Sequence, residues 1–184
     1  MADLKRITPD KLLWLDLEMT GLNPQKDRIV EVAAIVTDWQ FNELETFERG
    51  VAHDVTEIRA LLDANPWFKD FPDHKTEFLD VAAKGTTEHE VEKQLVELID
   101  RHFAADMPAL LAGNSIHTDR RFITQWWPKM EARLHYRMLD VSAWKVVMIG
   151  RYDIEFPKRE THRALADIRE SIAELKFYLD KGKY

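Results

Sequence analysis

Two carboxylates stand two residues apart in the segment LLWLDLEMTGLNPQKDRIVEVAAIVTD, residues 12–38. From Leu12 to Glu18 the residues alternate with a period of two, as in a half-buried strand. On such a strand Leu13, Leu15 and Leu17 face one way, and Trp14, Asp16 and Glu18 face the other. Residues on one face of a strand lie about 6.5–7 Å apart, so the two carboxylates can serve one small volume. On an inner strand of an apolar sheet this pair is costly unless a cation or a donor meets it. Asp119 follows the turn GNSIHTD, early in a predicted helix. Asp167 sits one turn into the final predicted helix, five residues after His162. Five residues turn a helix through about 500°, so these two converge only if His162 precedes or opens that helix. Thr161 as its N-cap places it there. Each group also has an ordinary structural reading. Asp119 and Asp167 suit helix N-termini as dipole-stabilising acids, His162 suits a surface or cap, and Asp16 with Glu18 suits an exposed edge strand. The five taken together point to chemistry.

The elements that must position them follow from patterning. Ile29 to Val36 reads as a second strand, after a turn at Asn23-Pro24, and Leu44 to Val51 as a third that completes an antiparallel meander. Pro66 and Pro72 break the helical pattern between His53 and Lys84 into short helices. Thr87 and Glu90 form a predicted capping box for a helix to Ala104, with Val91, Leu95, Leu98 and His102 at helical spacing. Ala109 to Ala112 is a short buried strand, His117 to Trp127 a helix stopped by Pro128, and Arg137 to Val141 a fifth strand. A helix near Ser142 to Met148 precedes a polar stretch from Tyr152 to Glu160. In the last helix, Arg163 to Leu179, an apolar stripe runs through Leu165, Ile168, Ile172, Leu175 and Leu179. Three strands followed by alternating helices and strands predict an α/β mixed sheet flanked by helices, with ligands gathering at strand ends.

At 184 residues the chain is expected to form a single domain, residues 1–184. Seven prolines and six glycines are scattered, so no linker or repeat divides it. No apolar run reaches membrane-spanning length, and MADLKRITPD lacks the hydrophobic core of a signal peptide. The absence of cysteine removes disulfides and thiolate metal sites and fits a cytoplasmic location. A net charge of −7 argues against a basic groove tracking a long phosphate backbone. It leaves room for a small anionic substrate gripped at a few points, with local basic clusters at Arg120-Arg121, Arg133 to Arg137 and Lys158 to Arg163.

The set of acids, in its wording, resembles a known family. Asp-x-Glu on the first strand, Asp opening a mid-chain helix and His-x₄-Asp near the C-terminus resemble the DEDDh 3′–5′ exonucleases. The phrases WLDLEMTGLNPQKDRIVEVAAIVTD, LAGNSIHTDRRF, HYRMLDVS and THRALADIRESIAEL are similar to the oligoribonucleases within that superfamily. They span the beginning, middle and end of the chain. Residues 41–107 and 144–160 match less well, and His117-Thr118 stand where the family usually has Gly-Gln.

The resemblance implies a ribonuclease H-like fold with a five-stranded mixed sheet. It implies a 3′–5′ exoribonuclease that degrades very short RNA, dinucleotides above all, to mononucleotides. It assigns Asp16, Glu18, Asp119 and Asp167 as metal ligands and His162 as general base. Oxygen-only ligands suit Mg²⁺ or Mn²⁺, and two such ions about 3.5–4 Å apart stabilise the attacking and leaving oxygens of an in-line displacement. Leu22 corresponds to a leucine that wedges between the last two bases, its alternative being a core residue. Ser115 and Arg137 correspond to groups that cap the 5′ phosphate, the alternative for Arg137 being an ordinary surface arginine. Tyr136 corresponds to a tyrosine given by a neighbouring subunit, which implies a homodimer. Trp67 and His74 take base-stacking and phosphate roles, at a spacing that departs from the family's. Two other readings stay open: a DNA exonuclease of the proofreading type, and a catalytically silent domain that binds nucleic acid or protein. The buried acids weigh against the silent domain; acidic charge and the GNSI and HYR phrases favour RNA.

Overall fold

In the computed structural model, which describes residues 9–157 and 164–182, the acid-bearing segment is an inner strand, β1 (Lys11–Met19). β2 (Ile29–Asp38) and β3 (Glu43–Ala52) continue it as an antiparallel meander. On its other side β1 pairs in parallel with β5 (Ala109–Gly113), which pairs in parallel with β6 (Leu134–Asp140) at the sheet edge. The sheet has six strands rather than five, in the order β4-β3-β2-β1-β5-β6. The addition is β4 (Thr86–Thr87), a two-residue strand that joins β3 in parallel. It changes the fate of the predicted capping box. Thr87 precedes α4 (Glu88–His102) but its side chain makes no cap bond, and Glu90 receives the side-chain amide of Gln94 instead.

The two faces of β1 divide as the alternation requires. Leu13, Leu15 and Leu17 join a core with Val91, Leu95 and Leu98 of α4 and with Phe122 and Ile123 of α5 (His117–Trp126). Trp14 joins a second core on the opposite face, with Ile168, Ile172 and Leu175 of α8 (Ala164–Lys181). The Trp14 indole donates to the Thr37 hydroxyl at 3.0 Å, so its one polar atom is met inside. The α8 stripe ends on Tyr178, fully buried, whereas Leu179 is partly exposed. The Tyr178 hydroxyl donates to Glu174, and this bond lets a tyrosine occupy the apolar face.

The interrupted segment forms α1 (Val55–Ala64), the single turn α2 (Trp67–Asp70) and α3 (Pro72–Lys84). Ile58, Leu62, Phe68, Phe78 and Ala82 pack there around Val30 of β2. β6 begins three residues earlier than predicted, because Leu134 and His135 are buried while residues 136–138 are exposed at the edge. It leads into α7 (Val141–Tyr152), longer than predicted.

Candidate active site

The parting of two parallel strands creates the site. The β1–β5 ladder runs from Leu12↔Leu110 to Trp14↔Ala112 and extends no further. Beyond it the chain turns at Gly113, where a Cβ would lie 2.8 Å from the Leu15 carbonyl oxygen, so only glycine fits that approach. Past the ladder, the Leu17 N–H needs an acceptor, and Asp119, in the first turn of α5, supplies Oδ1 at 3.0 Å. Asp119 is thereby bound to the strand between Asp16 and Glu18, and it is 6% exposed.

The third acid comes from α8. Asn114, in the turn after β5, donates to Ser171 Oγ at 2.9 Å and to Glu174 Oε2 at 3.1 Å, which docks that helix against the sheet. Arg169 grips Glu43 with two 2.9 Å bonds and ties the helix to β3 as well. So held, α8 brings Asp167 to the first pair: carboxylate oxygens of Asp16, Glu18 and Asp167 all lie within 4.8 Å of one another. Among the described residues Asp119 stands outside that trio and reaches it through Leu17. His162 lies outside the described residues.

The electrostatics follow from crowding. Burial, then the charges of Glu31 and Asp167, push the Glu18 carboxyl up to about 7. Burial also pushes Asp119 up to about 7, against the opposing Leu17 N–H and with added repulsion from Glu18 and Asp140. An all-carboxylate set of three, held this close, fits a hard divalent cation, which takes oxygen ligands.

Glu31 is an acidic neighbour of the site that patterning alone misses. It lies directly across from Glu18 in the β1–β2 register. With Glu18, His74, Glu77 and Asp80 it lines a cavity of about 240 Å³ that also reaches Ala164 at the start of α8. Its one visible signal is an acid inside the apolar run IVEVAAIV; the pairing register that gives it meaning is not written there.

The remaining predicted residues fall around this centre. His74 faces Glu18 across the cavity, and its ring lies 5.5 Å from that of Trp67. Leu22 is 73% exposed, which rules out a core role. Its loop is well tied, because Asp27 accepts from the Thr20 hydroxyl and from the Asn23 N–H. A Cβ on Gly21 would lie 2.5 Å from one Asp27 carboxylate oxygen, so a larger residue there would displace the carboxylate that ties the loop. Ser115 is exposed with a positive φ of 49°, and its N–H donates to Asp140 and to Ser142 Oγ. Ser142, whose place here no motif in the sequence marks, thus sits with its hydroxyl 3.1 Å from that of Ser115. His117 is exposed, with Nδ1 3.4 Å from the Asp140 carboxylate. Arg137 is exposed on β6, its guanidinium 5.2 Å from the Tyr136 ring centre. Tyr136 is itself 72% exposed.

Comparison with known proteins agrees with this geometry. The RNase T exonuclease family model matches residues 13–175. An oligoribonuclease of Chromobacterium violaceum is 42% identical over 174 residues, covering 92% of this chain and 93% of that one. One of Francisella tularensis subsp. novicida is 42% identical over 175 residues, covering 94% and 96%. The chain belongs to the oligoribonuclease family of exonucleases. Its fold is also that of exonuclease I from Methylocaldum szegediense, with a TM-score of 0.65 at 19% identity over 94% of this chain. An E. coli exonuclease I complex with a dT13 oligonucleotide gives a TM-score of 0.59 at 18% identity over 95% of this chain. The family chain spans 41% of each of those two larger structures. Among its described residues no helix is long and apolar enough to cross a membrane.

The raised carboxyls give the metal-free oligoribonuclease-family protein a pH dependence. Glu18 and Asp119 keep protons in the folded chain that the unfolded chain has already released. Their stabilising contribution is full below the ordinary carboxylate range and is lost as pH rises through about 7. Glu18→Gln cannot ionise and escapes part of that loss. Thermal unfolding in EDTA is expected to show the variant more stable than the wild type at pH 8, with the gap narrowing at pH 5. A wild type more stable than the variant at pH 8 contradicts this electrostatic picture.

Proposed function

We propose that this chain is a 3′–5′ exoribonuclease that removes nucleotides from very short RNA, with dinucleotides as its preferred substrate. The observation that carries the reading is the trio Asp16, Glu18 and Asp167, within 4.8 Å of one another at a strand end in an oligoribonuclease-family chain. These residues, with Asp119, would hold two Mg²⁺ or Mn²⁺ ions. Bound divalent cations supply charge stabilisation for the attacking and leaving oxygens of phosphoryl transfer.

The chain's own groups do the rest. His162 takes the proton of the attacking water, a role suited to an imidazole near neutral pH. Water attacks the phosphorus of the 3′-terminal diester, the bond from phosphorus to the 3′ oxygen breaks, and that oxygen leaves as a hydroxyl. Ser115 and Arg137 hold the 5′ phosphate, Leu22 separates the two bases, and Trp67 and His74 contact base and phosphate. A dinucleotide offers few contacts along its length, so a charged arginine on its terminal phosphate supplies much of the binding. The acidic net charge of −7 fits a short substrate better than a long one.

A homodimer in the cytoplasm completes the reading. β6 is the open edge of the sheet, and Tyr136 projects from it. The adjoining α7 exposes Val146 by 72% and Val147 by 52%, apolar surface of the kind that protein partners cover. The proofreading-type DNA reading has only fold-level likeness behind it.

Three experiments test these roles. His162→Ala is expected to retain metal binding and lose about 10²–10⁴ in kcat, as for a missing general base. A matching loss of metal affinity by calorimetry would make it a ligand instead. For the substrate, RNAs of graded length from the dinucleotide upward are digested with Mg²⁺ or Mn²⁺. Arg137→Ala is expected to slow the dinucleotide far more than longer strands, and removal of the 5′ phosphate to mimic it. Inactive Asp16→Ala and Tyr136→Ala chains, mixed, are expected to regain activity at the one site that receives both intact groups. Equal loss on all lengths, with no recovery on mixing, overturns the capped dimer.

A further inference from the structure

Two exposed apolar surfaces near the acids share one side chain that bonds to both of their segments. The first is Leu22, 73% exposed at the tip of a loop whose neighbours are firmly bonded. Its exposure is therefore built in rather than the result of looseness. The second is a pair of rings, Trp67 and Phe71, stacked with centres 4.4 Å apart and planes inclined by 22°. Each stays about two-fifths exposed, at 41% and 40%. Phe68, between them, points into the core with Ile58, Leu62 and Phe78. The single turn α2 thus inserts one aromatic and displays two. The displayed pair adjoins His74, which lines the cavity beside Glu18.

Asn65 joins the two surfaces. Its Nδ2 donates to the Thr20 carbonyl at 3.0 Å, two residues before Leu22. Its Oδ1 accepts the Trp67 N–H at 3.1 Å. Its own backbone N–H closes α1 on the Leu62 carbonyl, and Pro66 holds the residue extended, at φ −93° and ψ 113°. One amide, with its fixed donor and acceptor, bonds both segments, beside an Arg28–Glu57 ion pair that also ties the base of the loop to α1. Aspartate lacks the donor, alanine lacks both groups, and neither substitution touches the backbone cap.

We propose that Asn65 is a positioning residue for substrate. It sets the spacing between Leu22 and the Trp67–Phe71 stack, and a base of the short oligonucleotide is received against these two surfaces, with Phe71 an unassigned part of the contact. Aromatic faces bind any base by stacking, so this device strengthens binding of short RNA without selecting a sequence. The inference rests on the exoribonuclease reading above.

The test separates positioning from mere structure by splitting KM from kcat. Asn65→Ala and Asn65→Asp are measured on a 5′-phosphorylated RNA dinucleotide, alongside Leu22→Ala, Phe71→Ala and the double variants. Both Asn65 variants are expected to raise KM at least about five-fold, the lower end of what loss of one stacked base costs, with kcat within about two-fold. A dinucleotide carrying 2-aminopurine, bound with Ca²⁺ in place of Mg²⁺, should lose its stacking quench in parallel. Leu22→Ala added to Asn65→Ala should cost less than the sum of the two, since both act on one slot. Should Asn65→Ala fold poorly by circular dichroism, the Leu22 and Phe71 double variant decides, with the same less-than-additive KM expected. Unchanged KM and quench in folded Asn65 variants, a fall in kcat alone, or full additivity in these pairs overturns the inference while the enzyme reading stands. A wild type that neither binds nor cleaves the dinucleotide overturns both.

Discussion

The mutual repulsion of the half-buried carboxylates is the constraint the rest of the structure serves. Asp16, Glu18 and Asp167 come from two elements far apart in sequence, and in water like charges would keep them apart. Packing holds them together. Ile168, Ile172 and Leu175 anchor α8 to the Trp14 face of the sheet. Each such buried side chain contributes about 1.5–3 kcal/mol at most, enough in sum to hold a strained arrangement of charge. Asn114 and Arg169 fix the helix in register over the strand. What cannot be relieved by packing shows in the proton affinity of Glu18 and Asp119, both pushed up to about 7. A divalent cation held there would remove the repulsion that packing only tolerates, and would couple its binding to the fold's stability at neutral pH.

Recognition is built differently from this centre. The acids sit on long elements with buried faces, whereas the candidate substrate contacts project from a tied loop, a single helical turn and an edge strand. Leu22, Trp67, Phe71, Arg137 and Tyr136 are all exposed, as surfaces waiting for a partner molecule must be. Leu22, Trp67 and the also exposed Ser115 hang on backbone that is itself well bonded, by Asp27, by Asn65, and by Asp140 with Ser142. Preorganisation of this kind lowers the ordering cost of binding a small ligand.

Much of this was legible in the sequence because periodicity is local. The alternation through Leu13, Leu15 and Leu17 placed Asp16 and Glu18 on one face, and the structure divides its two cores along that line. The turn GNS and the helix after it located Asp119, and the stripe in the last helix located Asp167. What stayed hidden depends on pairing between distant segments. Glu31 matters because it lies opposite Glu18, and a register shift of one residue would have turned it to the other face. Thr87 read as a helix cap because β4 exists only through its partner β3. Patterning starts β6 late, since an edge strand with exposed Tyr136, Arg137 and Met138 lacks the alternation of a half-buried one. Of the aromatic pair Trp67 and Phe71, the sequence marks only Trp67. Its i,i+4 stacking depends on a helical turn that Pro66 and Pro72 obscure in sequence.

The most direct measurement of the central claim is proton release on cation binding. Mn²⁺ is titrated into metal-free protein in lightly buffered solution near pH 6.5, with bound metal and released protons followed together. Carboxyls whose proton affinity is raised to about 7 must give up protons when the cation binds. Release is therefore predicted at pH 6.5, diminishing toward pH 8, and weakened in Glu18→Gln. Mn²⁺ binding without proton release at pH 6.5, or release unaffected by Glu18→Gln, would contradict the account.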